Sequence, residues 1–148
     1  MLKLLVGIMG CLMSMPLIAQ TNPLFVDKIE DAQTLAQEEN RQILMVFAGS
    51  DWCRPCIQFK KDILESSTFA TYAKDNLVVL YLDFPARRKN QLPALQKAHN
   101  EDLAEQYNTS GLFPNILLFS PDLDLRSQLE FKNQSPQAFV QTIVALGS

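Results

Sequence analysis

Leu77-Val78-Val79-Leu80-Tyr81-Leu82 is a near-continuous apolar run, and it restricts the fold more than any other stretch of the chain. A strand with one wet face alternates apolar and polar side chains, so an unbroken run reads as a central strand covered on both faces. Ile43 to Ala48 has the same character and reads as a second buried strand. Strands of this kind belong to parallel sheets, whose crossover connections lay helices on the two faces.

The intervening segments supply those helices. Leu24 to Val26 predicts a short edge strand, and Ile29, Ala32, Leu35 and Ala36 fall at helical spacing up to Asn40, a residue suited to a C-terminal stop. Cys56, Ile57, Phe59, Ile63 and Leu64 line one side of a helix after the Ile43 run. Ser66-Ser67 then offers a break or cap before a short turn through Tyr72. Between Asp83 and Gly111 the pattern is polar, with Pro85, Arg87 and Arg88 in a loop. Leu92, Leu95 and Ala98 predict one helical stretch there, and Asn100 caps a second that holds Leu103, Ala104 and Tyr107. Ile116 to Phe119 returns to a strand, Ser120-Pro121-Asp122 is turn chemistry, and Leu125, Ser127, Leu129 and Phe131 alternate with Arg126, Gln128 and Glu130 as the half-exposed partner of a hairpin. Ser135 is a natural N-cap with Pro136 at the first helical position, and Phe139, Val140, Ile143, Val144 and Leu146 form the apolar face of a last helix. The order β-α-β-α-β-α-β-β-α predicts an α/β fold: a central mixed sheet, parallel in its first half and an antiparallel hairpin in its second, with helices on both faces.

Residues 1–19 stand apart from this pattern. Lys3 gives a positive start, Leu4 to Ile18 is apolar apart from Ser14, and Ala19 is a small residue at a cleavage position, which together read as a secretory signal peptide ahead of one domain over residues 24–147. The apolar stretch is shorter than the roughly 20 residues of a membrane-spanning helix. Ile8-Met9-Gly10-Cys11 loosely resembles a bacterial lipoprotein box, which would anchor the chain through Cys11, but apolar residues continue after that cysteine. Removal of the signal leaves two cysteines, and export places them in a periplasmic or secreted, oxidising setting. A formal net charge of −3 gives no footprint for nucleic acid. Arg87-Arg88-Lys89 is the only basic cluster, and at three residues it reads as a solvated loop.

The two remaining cysteines lie in Trp52-Cys53-Arg54-Pro55-Cys56, between the Ile43 run and the helix that follows. Two intervening residues bring both sulfurs within one helical turn, close enough to close a small disulfide ring. The first sits at a helix start, where unpaired N–H groups favour a thiolate, so Cys53 is the candidate nucleophile. Other uses of Cys-x-x-Cys fit less well. Haem attachment needs His after the second cysteine, where Ile57 stands, and zinc needs a second ligand pair, whereas only the isolated His99 remains. No metal or other cofactor is implied. An inert structural disulfide stays open.

With these residues in place, the chain resembles the thioredoxin superfamily over roughly residues 24–147. Phe47 to Cys56 is similar to the strand-to-active-site stretch of exported thioredoxin-like proteins, and Ser110-Gly111-Leu112-Phe113-Pro114-Asn115-Ile116-Leu117-Leu118-Phe119 is similar to the family segment whose cis-proline faces the disulfide. The resemblance implies a thioredoxin fold and a thiol-disulfide oxidoreductase in which an exposed Cys53 attacks and Cys56 resolves. It implies a cis bond before Pro114 and a substrate-facing place for Phe113, with Trp52 packed beside the site. Pro55 suits the first helical turn and stiffens the ring. Arg54 adds a cation beside the Cys53 thiolate, which favours the reduced form.

Two departures qualify the resemblance. Val46 occupies the place where cytosolic thioredoxins carry a buried carboxylate, and the loop Ala48-Gly49-Ser50-Asp51 is one residue longer, which puts a solvent-facing Asp51 next to Trp52 as a secondary candidate for proton transfer. His99 reads as a surface residue. The loop from Phe84 to Gln91 follows the C-terminal end of a strand, where open α/β sheets bind ligands, and is a candidate for partner selectivity. Pro55 before the second cysteine resembles reducing members, and the helical insertions of Dsb-type oxidants are absent, so the expected direction is reduction of protein disulfides by a monomer that draws on a membrane or periplasmic redox partner. The alternative is a thioredoxin-fold protein- or peptide-binding module whose disulfide does not turn over.

Overall fold

A computed structural model describes residues 24–147, so the expected signal peptide and Cys11 lie outside the described residues. Five strands form one sheet in the order β1-β3-β2-β4-β5. They are β1 (Phe25–Val26), β2 (Gln42–Ala48), β3 (Leu77–Asp83), β4 (Asn115–Phe119) and β5 (Leu125–Leu129). β1, β3 and β2 run parallel, whereas β4 lies antiparallel to β2 and β5 antiparallel to β4. The expected mixed sheet of a thioredoxin fold is therefore present. Its middle strand is β2, and the Leu77 run is, as expected, an interior strand covered on both faces, paired with β2 on one edge and the two-residue edge strand β1 on the other.

Five helices cover the sheet: α1 (Ile29–Glu39), α2 (Arg54–Phe59, continuing as a π-helical turn over Lys60–Leu64), α3 (Ser67–Asn76), α4 (Ala94–Tyr107) and α5 (Pro136–Leu146). Strand residues alternate between two cores. Leu44, Val46 and Ala48 of β2 face Cys56, Phe59, Phe69, Phe139 and Ile143 of α2, α3 and α5, whereas Ile43, Met45 and Phe47 face Ala32, Ala36 and Leu103 of α1 and α4. Every residue from Ile43 to Ala48 is fully buried, as the unbroken apolar run requires. The caps are those the sequence offers. Asn40 ends α1 in the left-handed region at φ 51°, and Ser66 and Ser135 accept N–H bonds from Phe69 and Ala138 at the starts of α3 and α5.

Several elements differ from expectation. The short turn through Tyr72 is a ten-residue helix, α3, and the two stretches on either side of Asn100 are one helix of 14 residues. Asn100 does not cap. It is buried, and its side-chain amide donates to the Asp83 carbonyl at 2.9 Å, which fastens α4 to the end of β3. Ile57, Leu125, Val144 and Leu146 are exposed rather than buried. In β5 the cause is a register shift at Leu118/Phe119, which breaks the alternation of the hairpin.

His99 is partly buried, not a free surface group. Its Nε2 accepts the Ile29 N–H at 3.2 Å at the start of α1, while Nδ1 lies 3.1 Å from Asn100 Oδ1, an arrangement that fits the tautomer with its proton on Nδ1. Arg41 is another buried anchor: its Nη1 donates to the carbonyls of Lys74 and Leu77, and Glu39 sits 2.8 Å from its Nε.

The α2–α3–α5 core is built around edge-on and tilted rings, with Phe139 5.2 Å from Phe59 and 6.5 Å from Phe69 between centroids. Phe139→Ala leaves a cavity that rigid neighbours cannot refill, and is expected to cost about 3–5 kcal/mol. Denaturant unfolding checks this: the midpoint falls with an unchanged slope, and a loss under about 1 kcal/mol would contradict the packing described.

Candidate active site

β2 ends at Ala48, the chain turns through Gly49 to Trp52, and Cys53 starts α2 as its N-cap. Cys53 and Cys56 form a disulfide with an S–S distance of 2.02 Å and a Cα–Cα distance of 5.2 Å. Cys53 is fixed on both sides. Its N–H donates to the Gly49 carbonyl at 3.0 Å, its carbonyl accepts the Ile57 N–H at 3.1 Å, and its sulfur accepts the Cys56 N–H at 3.3 Å. That last bond satisfies one of the donors a helix leaves open at its first turn, and Pro55 removes another by having no N–H. Arg54 and Pro55 are exposed at this helix start.

Cys53 was expected to be exposed, but in the disulfide form it retains 4% of its surface against 1% for Cys56. The order of access is as expected; the degree is not. Both sulfurs belong to the core that contains Val46, Phe59 and Ile116. Among the described residues, nothing acidic replaces the missing carboxylate within that core. Tyr81 lies opposite Val46 in the β2–β3 register, and its pKa is pushed up to about 12, chiefly by burial and then by the charges of Asp83 and Glu65. Its phenol therefore stays protonated at neutral pH and is no general base.

An aromatic chain runs beside the disulfide. Trp52 meets Phe113 edge-on at 5.3 Å, Phe113 meets Phe84 at 5.4 Å, and Phe84 leans on Phe47 in the other core at 6.2 Å. Trp52 is half exposed, yet its indole N–H donates to the Phe84 carbonyl at 2.7 Å. The ring lies over Gly49, where a Cβ would overlap it, so this position needs glycine. The Phe113-Pro114 bond is cis, as the resemblance implied. Sequence reading missed what holds this segment. Asn115 and Asn108 are both buried, Asn115 Nδ2 donates to Asn108 Oδ1 at 3.0 Å, Asn108 bonds both the N–H and the carbonyl of Leu112, and Gln128 donates to Asn115 Oδ1 at 2.8 Å. The signal for it was an asparagine heading the otherwise apolar run Ile116-Leu117-Leu118-Phe119.

Asp51 does not face solvent idly. Its carboxylate accepts the N–H groups of Ala86 and Arg87 at 2.8 and 3.0 Å and the side-chain amide of Asn90 at 2.8 Å. Asp83 performs a similar service one step inward, accepting both the N–H and the hydroxyl of Ser50. The active-site loop and the loop after β3 are thus tied together, and the lone pairs of Asp51 are committed to that tie.

A family model described as thioredoxin-like matches residues 25–121. The disulfide bond reductase DsbH of Chlamydia pneumoniae is 28% identical over 131 residues, which span 85% of this chain and 77% of that protein. A solved structure of a DsbH oxidoreductase superposes with a TM-score of 0.73 at 27% identity, covering 87% of this chain and 91% of the other. A thioredoxin from Thermus thermophilus superposes with a TM-score of 0.61 at 16% identity, over 83% of this chain and 85% of that one, a likeness of fold alone.

The Ala86 N–H, more than any other group, holds the Asp51 carboxyl below its usual value of 3.8; the Asn90 amide, the Arg87 N–H and the Arg87 charge add to this against desolvation. A carboxyl whose pKa falls on folding contributes its tie fully above the ordinary value and loses it only as pH drops through the lowered one. The amide proton shifts of Ala86 and Arg87 are therefore expected to stay constant on acidification to about pH 4 and to move only below it. Asp51→Asn should abolish that titration. Shifts that move between pH 7 and 5 would contradict the tie.

Proposed function

The chain belongs to the thioredoxin-like family and is a thiol-disulfide oxidoreductase, and from that premise we propose that it reduces disulfides of protein substrates outside the cytoplasm, with Cys53 as nucleophile and Cys56 as resolving thiol. The observation that carries the assignment of roles is the place of Cys53: it caps α2, it is the less covered of the two cysteines, and its sulfur already accepts a helix N–H. As a thiolate it would receive that same bond, together with the charge of the neighbouring Arg54.

In the proposed cycle the Cys53 thiolate attacks one sulfur of a substrate disulfide, forming a mixed disulfide and releasing the other sulfur as a thiolate. Cys56, deprotonated, attacks the Cys53 sulfur; the protein disulfide forms and the second substrate thiol departs. Two electrons and two protons pass to the substrate, and a dithiol partner, at the membrane or in the periplasm, returns them. Pro55 and Trp52 fix the ring of the disulfide and its flank. Phe113, in ring contact with Trp52, supplies an apolar contact for the substrate, and Pro114 supports that segment.

The direction rests on Pro55 and on the activity named for the Chlamydia relative, a disulfide bond reductase. Export rests on Lys3, the apolar stretch to Ile18 and Ala19, followed by a monomeric domain over residues 24–147; the second form of export is a lipid anchor at Cys11. One observation favours the non-catalytic binding module, the near-complete cover over both sulfurs.

Cys56→Ser separates the two readings when expressed in a host that exports the chain. An oxidoreductase accumulates mixed disulfides through Cys53, visible as thiol-sensitive bands on non-reducing gels and lost in Cys53→Ser/Cys56→Ser. A trap that stays empty would contradict catalysis and leave the binding module.

A further inference from the structure

The loop after β3 carries Arg87, Arg88 and Lys89, all exposed, and it is not loose. Phe84 N–H donates to the Ala48 carbonyl at 2.8 Å, Trp52 Nε1 donates to the Phe84 carbonyl, and Asp51 takes the N–H groups of Ala86 and Arg87 and the amide of Asn90. Within the loop, Asn90 N–H bonds the Arg87 carbonyl, and Gln91 Nε2 reaches the Pro85 carbonyl at 2.8 Å. Asp51 and Trp52 immediately precede Cys53, so these bonds fasten a loop with three consecutive exposed cations to the segment that leads into the disulfide. Arg54, exposed on the other side of Cys53, adds a fourth.

Four carboxylates on the elements around the site are engaged elsewhere. Asp51 is spent on the loop backbone, Asp83 on Ser50, Glu101 pairs with Lys97, and Glu130 pairs with Lys132. Among the described residues, Arg54, Arg87, Arg88 and Lys89 form no ion pair with a carboxylate within 4.0 Å, although the charge of Arg87 does bear on Asp51. A chain of net charge −3 therefore presents positive charge where its chemistry occurs. Ordering exposed cations in a row, with long side chains that gain nothing from the fold, has a use when something negative docks there.

We infer that the 84–91 loop is a specificity element that selects polypeptide substrates whose disulfide is flanked by Asp or Glu. The inference rests on the oxidoreductase reading above and adds to it the chemical class of the substrate. Charges on the rim act mainly on the rate of encounter, so the preference belongs in the second-order rate constant and weakens with salt.

The test uses two synthetic peptides, each closed by one disulfide and identical except that Glu or Lys flanks the cysteines, with the reduced protein as attacking dithiol and uncharged hydroxyethyl disulfide as a third substrate. In about 0.01 M salt the Glu peptide is expected to react about tenfold faster than the Lys peptide, and the ratio to fall toward one in about 1 M salt, where the screening length is about 3 Å. Combined Arg87→Glu, Arg88→Glu and Lys89→Glu should invert the ratio. Arg88→Glu with Lys89→Glu, which spares the residue beside Asp51, should at least cancel it, and since each ratio is internal to one protein a loss of folded material does not mimic the effect. Reduction of hydroxyethyl disulfide with equal rates on the two peptides would overturn this inference alone, as would a preference that survives both variants. No reaction with any of the three substrates would overturn the oxidoreductase reading, and this inference with it.

Discussion

The burial of β2 on both faces and both edges is the constraint on which the site depends. From Ile43 to Ala48 no side chain reaches solvent; β3 is bonded along one edge in parallel register and β4 along the other in antiparallel register. A slip of one residue would exchange the side chains of two different cores, so the strand has one register. That register sets where Ala48 ends, and hence where Gly49 turns, where Cys53 caps α2 and where Phe84 closes onto the strand end. The dithiol is placed by a strand that cannot move, and its neighbours are placed by loops bonded to that strand's end.

Around this apolar frame the polar groups divide into two kinds. Those beneath Cys56 have been removed: Val46 stands in the core and the phenol of Tyr81, opposite it, holds its proton. Those at the rim have been multiplied and paired, with Asp51 and Asp83 fastening one loop and Asn108, Asn115 and Gln128 the other. Proton removal from the dithiol is then left to solvent and to the electrostatics of the helix start, where the first N–H groups and Arg54 act on Cys53 rather than on Cys56. In the proposed cycle, such a site would favour the first attack, by Cys53, over the internal step by Cys56.

What the sequence disclosed was what local pattern encodes. The two apolar runs gave β2 and β3, Asn40, Ser66 and Ser135 marked helix ends, and Cys53-Arg54-Pro55-Cys56 with Phe113-Pro114 located the site. Its failures were tertiary. Asn100 has the residue type of a cap, but its amide is claimed by the Asp83 carbonyl 17 positions away, so α4 continues through it. α3 leaves only a weak helical signal because little more than Phe69 and Ala73 marks its buried side. The sequence neighbours of His99 and Asp51 are polar, whereas their partners, Ile29 and the 86–90 loop, lie 70 and about 35 positions away. Cys53 belongs likewise to a core assembled from β2, β3, β4, β5, α2, α3 and α5, which spacing alone does not reveal.

The account turns on electrons leaving this dithiol for protein disulfides. Equilibration of the purified protein with reduced and oxidised glutathione, read by alkylation of free Cys53 and Cys56, measures that tendency directly. The account predicts a potential on the reducing side, well below about −200 mV and toward the value of about −270 mV of thioredoxin. A potential near about −120 mV, that of a strong oxidant, would contradict it.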